Sequence, residues 1–225
     1  MATFFIYMLL AAGAANPVGQ WMPGRTETST YKLAEAGLPG TSKYTMRSIL
    51  RDSRPVLEVE VITHRTLVLG GQRGLLETIC QTRVDPGSFD LVESRLVTTL
   101  NGSESSYLHA ERVGNKIEVR QKLRGSPLEI RIVEAGEPVI EESAMLPYLE
   151  RLPWTQGREF RWLRFSPAQT RVLHVTARMV KDDGKILRIT METEIGPSAY
   201  EIRHGSPGVV VRTEAGGSEQ MVLVP

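Results

Sequence analysis

The side chains here that most often ligate metals or act as bases and nucleophiles are four histidines, His64, His109, His174 and His204, and one cysteine, Cys80. Each histidine falls in a different stretch that reads as a strand. A catalytic zinc would need three of them to converge through the fold, because it takes three protein ligands; the spacing predicts no metal site. Nothing adjacent to Cys80 would lower its pKa, and a lone cysteine cannot form an internal disulfide. Glu58 and Glu60 project to one side of a strand, as an acid and a base would. Glutamates alternating with an apolar row are also the pattern of a solvated sheet face, and that is the expectation for this pair. Ser206 near His204 sets a hydroxyl beside a base, but Gly205 and Pro207 spell a loop and supply no partner acid.

The chain has no G-x-S-x-G elbow, P-loop, G-x-G-x-x-G, H-E-x-x-H or C-x-x-C motif. The expectation is therefore a protein that is not an enzyme and carries no cofactor. The enzyme alternative is a hydrolase assembled from dispersed residues such as His174, His204 and a carboxylate. The feature left over is a cluster of large side chains, Met145, Tyr148, Leu149, Trp154, Trp162 and Phe165, in a chain with only 6% aromatic residues. Leu152 belongs to the same stretch. These six are the candidate ligand-binding residues, as lid and wall of an apolar pocket where a helix meets a curved sheet. The competing reading is ordinary core under a helix packed on strands.

The elements that would position them are almost all strands. From Pro55 to Leu69, residues Leu57, Val59, Val61, Leu67 and Leu69 share one parity while Glu58, Glu60, His64 and Thr66 share the other, the period of a half-buried strand. Similar runs flank Gly37-Leu38-Pro39-Gly40, Gly70-Gly71, Asp85-Pro86-Gly87, Asn101-Gly102, Gly114-Asn115 and Asp182-Asp183-Gly184, each a turn signal. The pattern breaks only at Val139 to Pro153, where Met145, Leu146, Leu149 and Leu152 fall at helical spacing, Ser143 is a possible N-cap and Glu141-Glu142 opens the insertion. The expected class is all-β, mainly antiparallel, as a curved sheet or incomplete β-barrel with one short helical insertion near 139–153. One sheet, or two split near residue 150, would satisfy the pattern.

Composition bounds the function further. With 225 residues, 41% hydrophobic, 24% charged and a formal charge of +1, the chain suits a globular protein without a field that would select nucleic acid. Phe4 to Ala15 (FFIYMLLAAGAA) is too short to span a bilayer and ends in small residues, as a secretory signal peptide does. Against that reading, no Lys or Arg precedes Arg25, and a packed N-terminal strand or helix is the alternative. The expected organisation is a signal peptide over 1–15, a linker over 16–26 and a single β-rich domain over 27–225. The mature chain would be exported, periplasmic or secreted, with no transmembrane segment.

The helical interruption carries L-P-x-L-x-x-L-P (Leu146 to Pro153), and the chain closes with P-G-V-V-V-R-T-E (Pro207 to Glu214) before its last strand. In this order of parts it resembles the exported bacterial proteins of the DUF3108 type and, more distantly, the lipoprotein-carrier folds in which helices lid an incomplete β-barrel. The resemblance implies a half-barrel that holds an acyl chain or an apolar segment of a partner, and transfers no catalytic residue. The expected function is thus binding of a lipid, lipoprotein or other envelope component in a concave sheet. The alternative is an assembly module that pairs with an envelope protein through exposed strand edges.

Overall fold

The computed structural model describes residues 26–33, 39–136, 138–205, 208–216 and 218–224. The signal-peptide reading, most of the linker, the Gly37-Leu38 turn and Ser206 with Pro207 lie outside the described residues. The strands are β1 (Thr26–Leu33), β2 (Gly40–Arg51), β3 (Arg54–Leu69), β4 (Gln72–Val84), β5 (Leu91–Leu100), β6 (Ser103–Val113), β7 (Lys116–Leu123) and β8 (Glu129–Glu134). After β9 (Val139–Glu141), a 3-10 turn (Glu142–Ala144) and helix α1 (Met145–Leu149), the strands resume. They are β10 (Glu159–Ser166), β11 (Arg171–Asp182), β12 (Ile186–Thr193), β13 (Gly196–Arg203), β14 (Val209–Ala215) and β15 (Ser218–Leu223). All fifteen belong to one sheet, which resolves the choice between one sheet and two.

The sheet runs from β8 through β1, across the β1–β15 pairing, and on to β9. Every pairing is antiparallel except β9 with β10, which is parallel. Laid flat, fifteen strands at about 4.8 Å would spread over roughly 65 Å. Yet β8 and β9 stand at opposite ends, and five peptide steps join Glu134 to Val139, a reach of at most about 18 Å. The sheet must therefore roll up until its ends meet. β9 lies against β5 and β8 against β11, and the Val139 N–H donates to Asp90 Oδ1 at 2.6 Å, beside the start of β5. The ends overlap without a strand-to-strand hydrogen-bond ladder between them, so the barrel stays unclosed.

Two apolar clusters follow. Inside the roll, Tyr31, Met46, Val59, Trp162, Ile189 and Val210 pack with α1. In the overlap, Leu163, Phe165 and Val172 from β10 and β11 meet Leu91, Leu108, Ala110, Ile117 and Val119 from β5 to β7. β10 thus buries both faces, with Trp162 and Arg164 on the inner parity and Phe165 on the outer. Among the described residues, no helix is long and apolar enough to cross a membrane.

The helical insertion is shorter than its sequence pattern suggests. Val139–Glu141 is a strand because it finds a partner in β10, a tertiary contact that overrides local spacing. Ser143 is not an N-cap: it lies inside the 3-10 turn, and the Glu141 carboxylate caps that turn by accepting the Ser143 N–H. Pro147 sits in the first turn of α1, where a missing N–H costs nothing. The Asp182-Asp183-Gly184 turn forms as expected, with Gly184 at φ +80° joining β11 to β12.

Because Phe165 is fully buried in the overlap, Phe165→Ala is expected to destabilise the fold by about 3 to 5 kcal/mol. Urea unfolding checks this. A loss under about 1 kcal/mol would show that the seam does not hold the roll.

Candidate functional site

Rolling the sheet gives its interior two ends. At the end where β1 begins, α1 acts as a plug: Leu146 and Pro147 face Tyr31, Met46 and Val59 across a narrow gap. Glu150, just past the helix, fixes the plug, its Oε1 accepting the Val210 N–H at 2.8 Å and its carbonyl accepting the Gly208 N–H at 3.2 Å. Burial pushes the Glu150 carboxyl up to about 7. At the other end a cavity of about 550 Å³ opens toward exposed Ala168 and Ala215. Successive inner positions of each strand pass from cavity to plug, as Ser42 and Tyr44 precede Met46 on β2 and Thr63 and Val61 precede Val59 on β3.

The wall is mixed. Leu33, Val61, Leu96 and Met221 supply apolar surface, while Tyr44 and Tyr200 bring hydroxyls. Burial raises both phenols well above their ordinary range, so they remain neutral donors. The Ser42 and Thr63 hydroxyls bond each other at 3.0 Å.

The floor is polar and built around Glu141, which is 1% exposed. Its Oε2 accepts from the Thr82 hydroxyl at 2.9 Å, from the Ser143 N–H at 2.7 Å and from the Ser143 hydroxyl. Thr82 also bonds Ser94 at 2.9 Å, and Cys80 Sγ lies 4.0 Å from Glu141 Oε1. Burial pushes the Glu141 carboxyl up to about 7, with the hydrogen bonds from Ser143 and Thr82 opposing and the charge of Glu142 adding. Burial, then the nearby Glu141, push the Cys80 thiol up to about 12. That leaves Cys80 a protonated thiol rather than a ready nucleophile.

Arg164 lies behind the cavity wall on the Tyr200 side and is not itself one of the lining residues. It is 7% exposed, extends from the inner face of β10, and its charge acts on the Tyr200 phenol. Its Nε–H is sealed from solvent without an acceptor, as is the Trp162 Nε1–H on the same face.

The six residues expected to line a pocket lie elsewhere. Met145, Leu149 and Trp162 are in the inner core, with Tyr148 and Trp154 packed against it, and Phe165 is in the overlap. Tyr148 meets Trp162 edge-on at 5.2 Å. None of the six borders the large cavity; Trp154 borders a smaller one of about 180 Å³ beside His204.

The histidines stand apart, each on or beside its own strand. His64 meets Glu77 at 2.7 Å, His174 meets Glu194 at 2.9 Å and His204 meets Asp182 at 2.7 Å, while His109 borders a hollow of about 240 Å³ with Arg95 and Tyr107. No hydrogen bond links His174 with His204. Among the described residues, no group of three or more His, Cys, Asp or Glu side chains is arranged to hold a metal.

Glu58 and Glu60 do share a face, but the solvated-surface expectation fails for Glu58, which is 2% exposed. Arg47 Nε donates to its Oε1 at 2.7 Å and Arg83 Nε to its Oε2 at 2.9 Å. Arg83 and Arg51 then both grip Glu93. The arginine stems cover the carboxylate they neutralise.

Sequence reasoning missed Glu141, Thr82, Ser143 and Arg164. For Arg164 a signal existed, since it sits between Trp162 and Ser166 on the buried parity of β10.

This fold is similar to that of a solved beta-barrel-like protein of the domain of unknown function DUF1849 from Brucella abortus. The TM-score is 0.55 at 12% identity, covering 88% of this chain and 95% of the other. At that identity the likeness carries the fold alone. No family model matches the chain, and no curated protein matches it in sequence. Of the resemblance drawn from sequence, the barrel-like fold is therefore what holds.

The buried carboxyl sets a pH dependence. Below the ordinary carboxyl value of 4.5, folded and unfolded chains both hold the Glu141 proton; between 4.5 and about 7 only the folded chain does. Stability from this group is full below pH 4.5, falls as pH rises to about 7, and then levels off. Glu150 acts in the same direction. Glu141→Gln is expected to flatten the decline between pH 5 and 8, by on the order of 3 kcal/mol. Denaturant unfolding across that range checks it, and a variant with the wild-type slope would contradict it.

Proposed function

We propose that this chain is an exported, non-catalytic binding protein whose rolled sheet takes up one apolar or amphipathic guest, such as the acyl chain of a lipid or lipoprotein of the cell envelope. The observation that carries this reading is the cavity of about 550 Å³ inside the roll, plugged at one end and open at the other. Its size falls within the roughly 300–1,000 Å³ typical of small-ligand pockets. The wall combines aliphatic surface with a few neutral hydroxyls, which suits a chain with a polar terminus better than a flat polar substrate. The apolar run from Phe4 to Ala15 supports export.

A second reading rests on β8. This edge strand leaves Ile130 and Ile132 60% and 54% exposed. An exposed edge with apolar residues is a surface for strand addition by an envelope protein.

Binding of a guest only to the folded chain raises its melting temperature, with about 2.7 kcal/mol expected at a hundredfold excess over Kd. Dodecanoate should therefore shift the melting curve saturably. Thr78→Trp, which fills the cavity from β4, should remove the shift while the protein still folds. Unchanged melting with dodecanoate, dodecanol and an acylated peptide would contradict the interior-guest reading and leave the β8 edge as the better one.

A further inference from the structure

Arginine differs from other buried ionisable residues in that it keeps its charge at any ordinary pH. A buried lysine or glutamate escapes its desolvation cost by titrating; a buried arginine needs an acceptor. Arg47 and Arg83 meet that need on Glu58, and Arg112, Arg151 and Arg212, which also carry buried nitrogens that make no hydrogen bond, each have a carboxylate within 4 Å. Arg164 is only 7% exposed, yet among the described residues no hydrogen bond or ion pair reaches its side chain, and its Nε–H has no acceptor. The Glu142 carboxylate accepts from the hydroxyl of Ser166, two residues along β10 from Arg164, at 3.0 Å. The Arg164 charge is felt at the Tyr200 phenol, which lines the cavity.

A buried cation that no carboxylate among the described residues pairs with, set behind the wall of an open cavity, favours an anion there. We infer that Arg164, with the Tyr200 hydroxyl, seats the anionic head group of a single-chain amphiphile whose tail lies along Leu33, Val61, Leu96 and Met221. This rests on the interior-guest reading above and adds the head-group class to it. The guanidinium fork matches the paired oxygens of a carboxylate or of a phosphate monoester. Glu141 does not oppose such a guest while burial keeps it protonated, up to about pH 7. Glu142 is exposed toward the mouth, where water screens it.

The test is calorimetric titration of the full chain near pH 6 with four twelve-carbon probes below their micelle concentrations: dodecanoate, dodecyl phosphate, dodecanol and dodecyltrimethylammonium. A charged hydrogen-bonding pair predicts that the better anionic probe binds wild type about tenfold or more tighter than dodecanol, and whether that probe is dodecanoate or dodecyl phosphate tells carboxylate from phosphate. Arg164→Gln should bring the anion to within about twofold of dodecanol, and Arg164→Lys should keep part of the preference. Equal binding of anion and alcohol by wild type, tighter binding of the cation, or a preference unchanged in Arg164→Gln would overturn the head-group assignment while leaving the guest reading intact. Binding of none of the four would instead remove the guest reading beneath it. If Arg164→Gln does not fold, the wild-type anion-to-alcohol ratio and Arg164→Lys decide the matter.

Discussion

The short passage from Glu134 to Val139 is the constraint on which the rest of the molecule depends. It ties the two ends of a fifteen-stranded sheet together through five peptide steps. No flat or gently twisted sheet satisfies that tether, so the strands roll. Because β9 runs parallel to β10 and lies inside β5, the ends cannot zip into a closed barrel; they overlap and bury Phe165, Leu108 and Ile117 between them. Hydrophobic burial in the seam takes the place of the hydrogen bonds that would close an ordinary barrel.

The same geometry carries the polar interior. β9 enters the roll with all three of its residues buried, and the turn after it crosses to β3 and β4 before α1 plugs one end. Glu141 is carried along and must find donors, which Thr82 and Ser143 provide. Burial outweighs these donors and raises the carboxyl to about 7, so that below that pH the cavity has a neutral, hydrogen-bonding floor. Arg164 has no such local solution. An interior that satisfies its acid and leaves its base waiting is chemically asymmetric, and the asymmetry favours guests that bring negative charge.

Much of the architecture was legible in the sequence because strands and turns are local. Period-two alternation placed β3 within one residue of its start, and glycine-bearing turns marked the hairpins at Asn101-Gly102, Gly114-Asn115 and Asp183-Gly184. The site was much less legible. Met145, Trp162 and Phe165 are large and clustered, so they attract attention, but size and apolarity are equally the signature of core, where these three are buried. Glu141 reads as part of a helix start because its strand exists only through pairing with β10, which no local pattern encodes. Glu58 reads as a solvated glutamate because its cover comes from arginines on two neighbouring strands. The informative signs were polar residues on apolar parity, Thr82 beside Val84 and Arg164 beside Trp162, and they gain meaning only once the inner face is known.

The central claim is that the interior of the roll is a place for one guest. Native mass spectrometry of the chain purified gently from its cellular source weighs that guest directly. The account predicts a population carrying one small amphiphile per chain, lost on denaturation and detected as an anion when released. A bare chain under conditions that preserve the fold, which still acquires no adduct after incubation with twelve-carbon amphiphiles, would contradict it.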